Sequence, residues 1–345
     1  MKINTIPQRL IIVTALIAAS IANHPAQAAD AAGPYHFIKE IPIGGEGKWD
    51  YLSVDAAGRR LYVSHGTKVA VVDLDKDAVV GEITDTPGVH GIAVAPELQR
   101  GFVSNGRENK ASIVDLKTLQ TSSKVDTGEN PDAILFEPEH QEVYTFNGKS
   151  QSATVIDAKS GVVVTTIKLS GKPEFATVDP KAGRIYNNIE DKSEVVVIDT
   201  KTHEVVNHWP IAPGQTASGM AMDLEHHRIF LGCDNKLMVM MDTTNGKVVA
   251  TVPIGDGVDA NAFDPATQLA FSSNGEGTVT IAHEDAPDKL TVVQTLKTEK
   301  GARTMTIDPK THRIYLAAVK YEAGAAPRPK PIADSFKILV YGTEK

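Results

Sequence analysis

Seven times along this chain an aromatic residue stands seven places after an acidic or small residue, and successive copies lie 40 to 44 residues apart. The pairs are Asp55/Tyr62, Ala95/Phe102, Glu137/Tyr144, Asp179/Tyr186, Asp223/Phe230, Asp264/Phe271 and Asp308/Tyr315. A period of about 42 residues is the length of one four-stranded propeller blade, whereas helical repeats of similar length carry apolar residues every 3.6 positions. The text between anchors shows no such spacing; it reads as short β runs such as Arg184-Ile185-Tyr186 and Val195-Val196-Val197-Ile198-Asp199. The spacing predicts an all-β fold, a seven-bladed β-propeller with four antiparallel strands per blade.

The copies share a common internal text. In the fourth, alternation over 172–178 ends at Asp179-Pro180, which suits an innermost strand closed by a turn, and strands follow over 184–188, 194–199 and 205–211. The third repeats this over 131–136, 142–147, 153–157 and 162–169. Asn105-Gly106, Asn147-Gly148 and Asn274-Gly275 follow the second strand and are expected to turn the chain, because both residue types tolerate positive φ. The seventh copy supplies only three strands before the chain ends. Residues 35–43 alternate suitably and are predicted to close it as the outer strand, which pairs both termini in one sheet and protects its edge. The recurring aromatic is expected to pack between neighbouring blades. The propeller is thus placed over residues 35–343, with seven small inter-blade cores in place of one large one.

Residues 1–28 have the pattern of an export signal: Lys2 and Arg9 precede an apolar stretch over 10–22, and Ala26-Gln27-Ala28 offers a cleavage site. The apolar stretch is shorter than the roughly 20 residues a spanning helix needs. Cleavage near Ala28 would leave an exported chain with no membrane anchor, and the bacterial periplasm is the expected compartment. Removing Lys2 and Arg9 moves the formal charge from -8 to -10, a balance that argues against nucleic acid as a partner. Cys233 is the single cysteine, so no intramolecular disulfide forms, and it is expected to be a small buried residue. A monomer is expected.

Phe102-Val103-Ser104-Asn105, Tyr62-Val63-Ser64, Tyr144-Thr145-Phe146-Asn147, Pro131-Asp132-Ala133-Ile134, Val155-Ile156-Asp157 and Val197-Ile198-Asp199 resemble the repeat text of the YVTN-type proteins, exported seven-bladed propellers that include the YncE-like proteins. The resemblance covers nearly everything after Gly44. It implies a fold and a compartment, and the family has no shared catalytic motif to carry over. Phe230-Leu231-Gly232-Cys233 and His283-Glu284 depart from the pattern in the fifth and sixth copies.

Five places before each anchor stand Asp50, His90, Asp132, Glu174, Ser218, Asp259 and Arg303. Equal spacing predicts that these seven gather at one mouth of the central channel, a polar concavity suited to a small ligand or an ion. His65, three places after the first aromatic, should lie beside His90 and Asp50, and His65 and His90 are candidate ligands for Zn²⁺ or another transition ion. No other cofactor is evident. His226, His227, His203 and His208 fall in predicted turns and an outer strand and are expected to be solvated. The Pro-rich segment 320–335 interrupts the seventh blade, either as a tolerated insertion or as a lid or docking arm.

Three functions fit these residues. The first is non-catalytic binding of a small molecule, an ion or a periplasmic protein at the channel face. The second is a lactonase-like hydrolase, since propellers similar to this one include lactone-opening enzymes; Glu174, His90 and Arg303 would then be base, proton shuttle and oxyanion stabiliser. The third is an accessory partner of a periplasmic redox enzyme.

Overall fold

The computed structural model describes Met1 and residues 33–45, 48–322 and 330–344, and shows seven four-stranded antiparallel sheets. Residues 2–28 of the expected export segment lie outside the described residues. Among the described residues no helix is long and apolar enough to cross a membrane.

Each blade adds its strands outward in chain order, so the fourth runs Pro173–Asp179, Arg184–Ile189, Glu194–Asp199 and Glu204–Pro210. The inner strands are Leu52–Asp55, Val89–Ala95, Pro131–Glu137, Pro173–Asp179, Ala217–Asp223, Val258–Asp264 and Met305–Asp308. Each packs beside the next, and the last packs beside the first, which closes the ring. His36–Pro42 pairs with Lys337–Gly342 and completes the seventh blade as its outer strand, as the sequence predicted.

The apolar core divides into seven clusters, one at each blade interface. Tyr62, Phe102, Tyr144, Tyr186, Phe230, Phe271 and Tyr315 each enter a different cluster, and all are buried. The anchor carboxylates are buried as well, because they accept backbone N–H groups of the turn that follows: Gly58 on Asp55, His140 on Glu137, Ala182 on Asp179 and Lys310 on Asp308. Four places after each anchor the backbone turns left-handed, at Arg59, Gln99, Gln141, Gly183, His227, Gln268 and His312. Blade two has Ala95 in place of the carboxylate, and there a short 3-10 turn over Pro96–Leu98 makes the corner.

The Asn-Gly pairs work differently from the expectation. Asn105, Asn147 and Asn274 end their strands with buried side chains that donate to Ser112, Thr154 and Thr280 on the next strand. None of Gly106, Gly148 and Gly275 has positive φ; the left-handed residue comes at the end of the turn, at Asn109, Gln151 and Gly277. Gly106 is required by close approach instead, since a Cβ there would lie 2.6 Å from Nε2 of His90.

Candidate functional site at the channel mouth

A β-bulge places most of the predicted ring. In blades two to six the inner strand slips register just after its first residue, between Val89 and Ile92, Pro131 and Ile134, Pro173 and Ala176, Ala217 and Met220, and Val258 and Ala260. A bulge releases a residue from regular pairing and re-aims its side chain. The residues released include His90, Asp132, Glu174, Ser218 and Asp259, while Asp50 and Arg303 precede the shorter inner strands of blades one and seven. The second strands hold the backbone of this ring. Ser64 accepts the Asp50 N–H at 2.7 Å, Ser104 donates to the Asp132 carbonyl at 2.7 Å, Asn188 donates to that of Ser218 at 2.8 Å, and Ser273 donates to that of Arg303.

The ring side chains pair around the opening. His90 Nδ1 lies 2.6 Å from Asp50 Oδ2 and 3.3 Å from Asp132 Oδ1. Lys172 Nζ lies 2.6 Å from Glu174 Oε1 and also bonds Glu190. Arg303 Nε lies 3.3 Å from Asp259 Oδ2, and the Ser218 hydroxyl donates to the Asp259 carbonyl. Five carboxylates, those of Asp50, Asp132, Glu174, Glu190 and Asp259, thus meet His90, Lys172 and Arg303 around the opening, and Lys48 and Arg107 stand beside it. A cleft of about 260 Å³ beside Asp50 and His90 is bounded by Trp49, Arg107 and Asn130.

This crowding shows in the titration of the ring. Burial pushes Asp132 and Asp259 up to about 6 and Glu174 up to about 7, and repulsion among these carboxylates adds to the rise. Asp50 is raised by burial as well, against the lowering effect of its bond to His90. For His90, burial acts to lower the pKa, but the Asp50 hydrogen bond and the charges of Asp132, Asp50 and Glu174 outweigh it, so the imidazolium is favoured.

Beneath the ring lies an aromatic floor that the sequence reading missed. Tyr51 and Phe175, from blades one and four, meet with ring centroids 4.8 Å apart, and Tyr51 lies close to the carboxylates of Asp132 and Glu174. Both line a channel cavity of about 430 Å³ whose other walls include Val54, Ile92, Leu135 and Met305. The signal lay one place after the ring positions, where the seven residues are Tyr51, Gly91, Ala133, Phe175, Gly219, Ala260 and Thr304. Two large rings in a column of small residues fill the centre, and Gly91 gives Tyr51 room, since a Cβ there would sit 3.3 Å from its Cδ2.

His65 is not among the ligand atoms that cluster at the mouth. It is buried at the end of its strand with its ring 4.6 Å from that of Phe336, and the metal-sized cluster at the mouth is Asp50, His90 and Asp132. In that cluster both carboxylates address the same nitrogen of His90, so the groups satisfy one another through a shared proton. Cys233 is buried, and burial pushes its thiol up to about 12. Of the other histidines, His208 and His227 are exposed as expected, His208 lying 3.0 Å from Glu194, whereas the half-buried His203 meets Glu142 at 2.8 Å and the half-buried His226 belongs to a second cluster with Asp223 and Glu284. Residues 323–329 of the expected arm lie outside the described residues. Its base stands on the mouth side, where Tyr321 pairs with Pro331 and Gly45 exchanges hydrogen bonds with Asp334.

Compared with known proteins, the chain matches no family model and no curated protein.

Proposed function

We propose that this protein is an exported propeller of the YVTN type that binds a small cationic ligand at the acidic channel mouth without transforming it. The observation that carries the reading is the convergence of five carboxylates on one opening, four of them held above their ordinary pKa. A bound ammonium or similar cation would offset the burial and the repulsion that keep Asp132, Glu174 and Asp259 partly protonated near neutrality. The Tyr51/Phe175 floor supplies an apolar base, and the bulged strands present the polar groups on a rigid frame. The repeat text Phe102-Val103-Ser104-Asn105 and the export-type residues 1–28 support the family and the compartment.

Isothermal titration calorimetry with a panel of amines, quaternary ammonium compounds and polyamines tests this. Binding by at least one of them that weakens tenfold or more in Asp132→Asn/Glu174→Gln supports the reading. No binding across the panel, or binding indifferent to those substitutions, contradicts it.

One observation favours hydrolysis instead: Glu174 titrates near 7, the range that suits a general base. Against it, Glu174 is held by Lys172, His90 by Asp50 and Arg303 by Asp259, so the three groups cast as base, shuttle and oxyanion stabiliser are each engaged elsewhere. Turnover on a lactone panel that disappears in His90→Ala and Glu174→Ala would establish it, and absence of turnover in the wild type would remove it.

A further inference from the structure

A second cluster lies at the interface of blades five and six, built on the turn that follows the inner strand of blade five. Asp223 ends the inner strand Ala217–Asp223, His226 sits in the turn, and Glu284 comes from the third strand of blade six, Thr278–Ala286. That strand has nine residues where the third strands of the first five blades have six.

The repeat shows how unusual Glu284 is. Its backbone N–H donates to the Gln268 carbonyl, as those of Leu74, Leu116, Ala158, Thr200 and Thr243 donate to the left-handed residue of their own blades. In this buried column the other blades place two leucines, an alanine and two threonines. Blade six alone among these puts a carboxylate there. Glu284 is 4 % exposed, and among the described residues neither of its oxygens has a hydrogen-bond partner. A buried carboxylate left this way is costly unless it is protonated or meets a cation.

The groups facing it are metal ligands by type. His226 Nδ1 lies 3.4 Å from Glu284 Oε1 and 2.6 Å from Asp223 Oδ2, without hydrogen-bond geometry to either. Asp223 spends its other oxygen on the Glu225 N–H, which leaves Oδ2 directed at the cluster. The nearby Arg228 is already engaged by Asp242 and by the Pro287 carbonyl. One ligand atom from each of the three residues falls within 4.8 Å of the others. At the mouth, by contrast, His90 forms a hydrogen bond that satisfies its neighbours.

We infer that Asp223, His226 and Glu284 form a binding site for a divalent first-row transition ion of the Zn²⁺ class. Two carboxylates balance the ion's charge, the imidazole selects a borderline-soft metal over Mg²⁺ or Ca²⁺, and the partly exposed His226 gives an entry path. The ion would tie blade five to blade six on the opposite end of the inner strands from the channel mouth.

The repeat supplies a substitution that the fold already accepts, since Glu284→Thr gives blade six the residue of blades four and five. The full chain, stripped with chelator, is titrated with Zn²⁺, and with Mg²⁺ and Ca²⁺ as controls, by calorimetry and by thermal melting. The wild type is expected to bind one Zn²⁺ and to melt higher with it. Glu284→Thr and His226→Ala should each weaken binding tenfold or more, while Asp132→Asn at the mouth should leave it unchanged. Zn²⁺ binding that survives Glu284→Thr, or that is lost in Asp132→Asn, overturns the assignment. So does a wild type indifferent to Zn²⁺, and a Glu284→Thr variant of raised stability would then show an acid pair sharing a proton.

Discussion

Tyr51 and Phe175 meet edge to face at the centre of the ring, 4.8 Å apart with an interplanar angle of 72°, although they belong to blades one and four. Charged groups stand on the mouth side of the pair, which also lines a cavity walled largely by aliphatic and aromatic side chains together with Ser53, Asn261 and Thr306. A ligand bound at the mouth would rest on aromatic faces and meet carboxylates at its sides.

Truncating this floor should be costly. Tyr51→Ala is predicted to lose about 3 kcal/mol, in the range of large-to-small substitutions at packed sites. Tyr51→Phe keeps the ring and removes only the hydroxyl, so its cost should stay below about 1.5 kcal/mol. Urea unfolding of both variants measures the difference; equal losses would show that the hydroxyl, rather than the ring, holds the centre.

The interface aromatics should behave as separate, comparable anchors. Phe271 lies fully buried between blades six and seven with Tyr35 edge-on at 5.2 Å, and Phe271→Ala is predicted to lose about 3 to 5 kcal/mol. A loss under 1 kcal/mol, flagged by an unchanged urea midpoint as about the resolution of such measurements, would contradict the packing account.

Gln99 is exposed and has a φ of 53°, at the turn position that blade four fills with Gly183. Gln99→Gly removes the left-handed strain of a Cβ but adds freedom to the unfolded chain, so a gain of up to about 1 kcal/mol is expected. A clear fall in melting temperature would mean that the Gln99 side chain makes a contribution of its own.

The ring makes stability depend on pH. Asp132 and Asp259 titrate at about 6 and Glu174 at about 7 when folded, above their ordinary values of 3.8 and 4.5. The native state therefore holds more protons than the unfolded chain across this window, and its stability is full below about pH 4 for these groups and declines as pH rises toward 7. His90, also raised, acts in the same direction, as does Glu284 outside the ring. The ligand-free protein should melt lower at pH 8 than at pH 5, and Glu174→Gln should flatten the fall. A melting temperature that climbs between those values would show that the ring is not strained by charge.

Much of this was legible in the sequence because the repeat spacing maps equal residues to equal places. Asp55 to Asp308 and their aromatics gave the blade count and the interface anchors, and the same offset brought Asp50, His90, Asp132, Glu174, Ser218, Asp259 and Arg303 to one opening. Contacts across the ring were not legible, because Tyr51 and Phe175 lie three blades apart and no local pattern ties them. His226 and Glu284 escaped for a similar reason: their meeting depends on the packing of two blades, and only the column of Leu74, Leu116, Ala158, Thr200 and Thr243 marks Glu284 as out of place. The role of Gly106 was hidden by a turn preference that its sequence satisfies but its backbone does not use.

Proton release on ligand binding tests the central claim most directly. Calorimetric titration of a bound amine at pH 6.5, in two buffers of different ionisation enthalpy, reads the protons exchanged. A cation entering among Asp132, Glu174 and Asp259 must lower their pKa values, so the account predicts release of protons, reduced in Asp132→Asn/Glu174→Gln. Binding with no proton exchange, or with uptake, would contradict it.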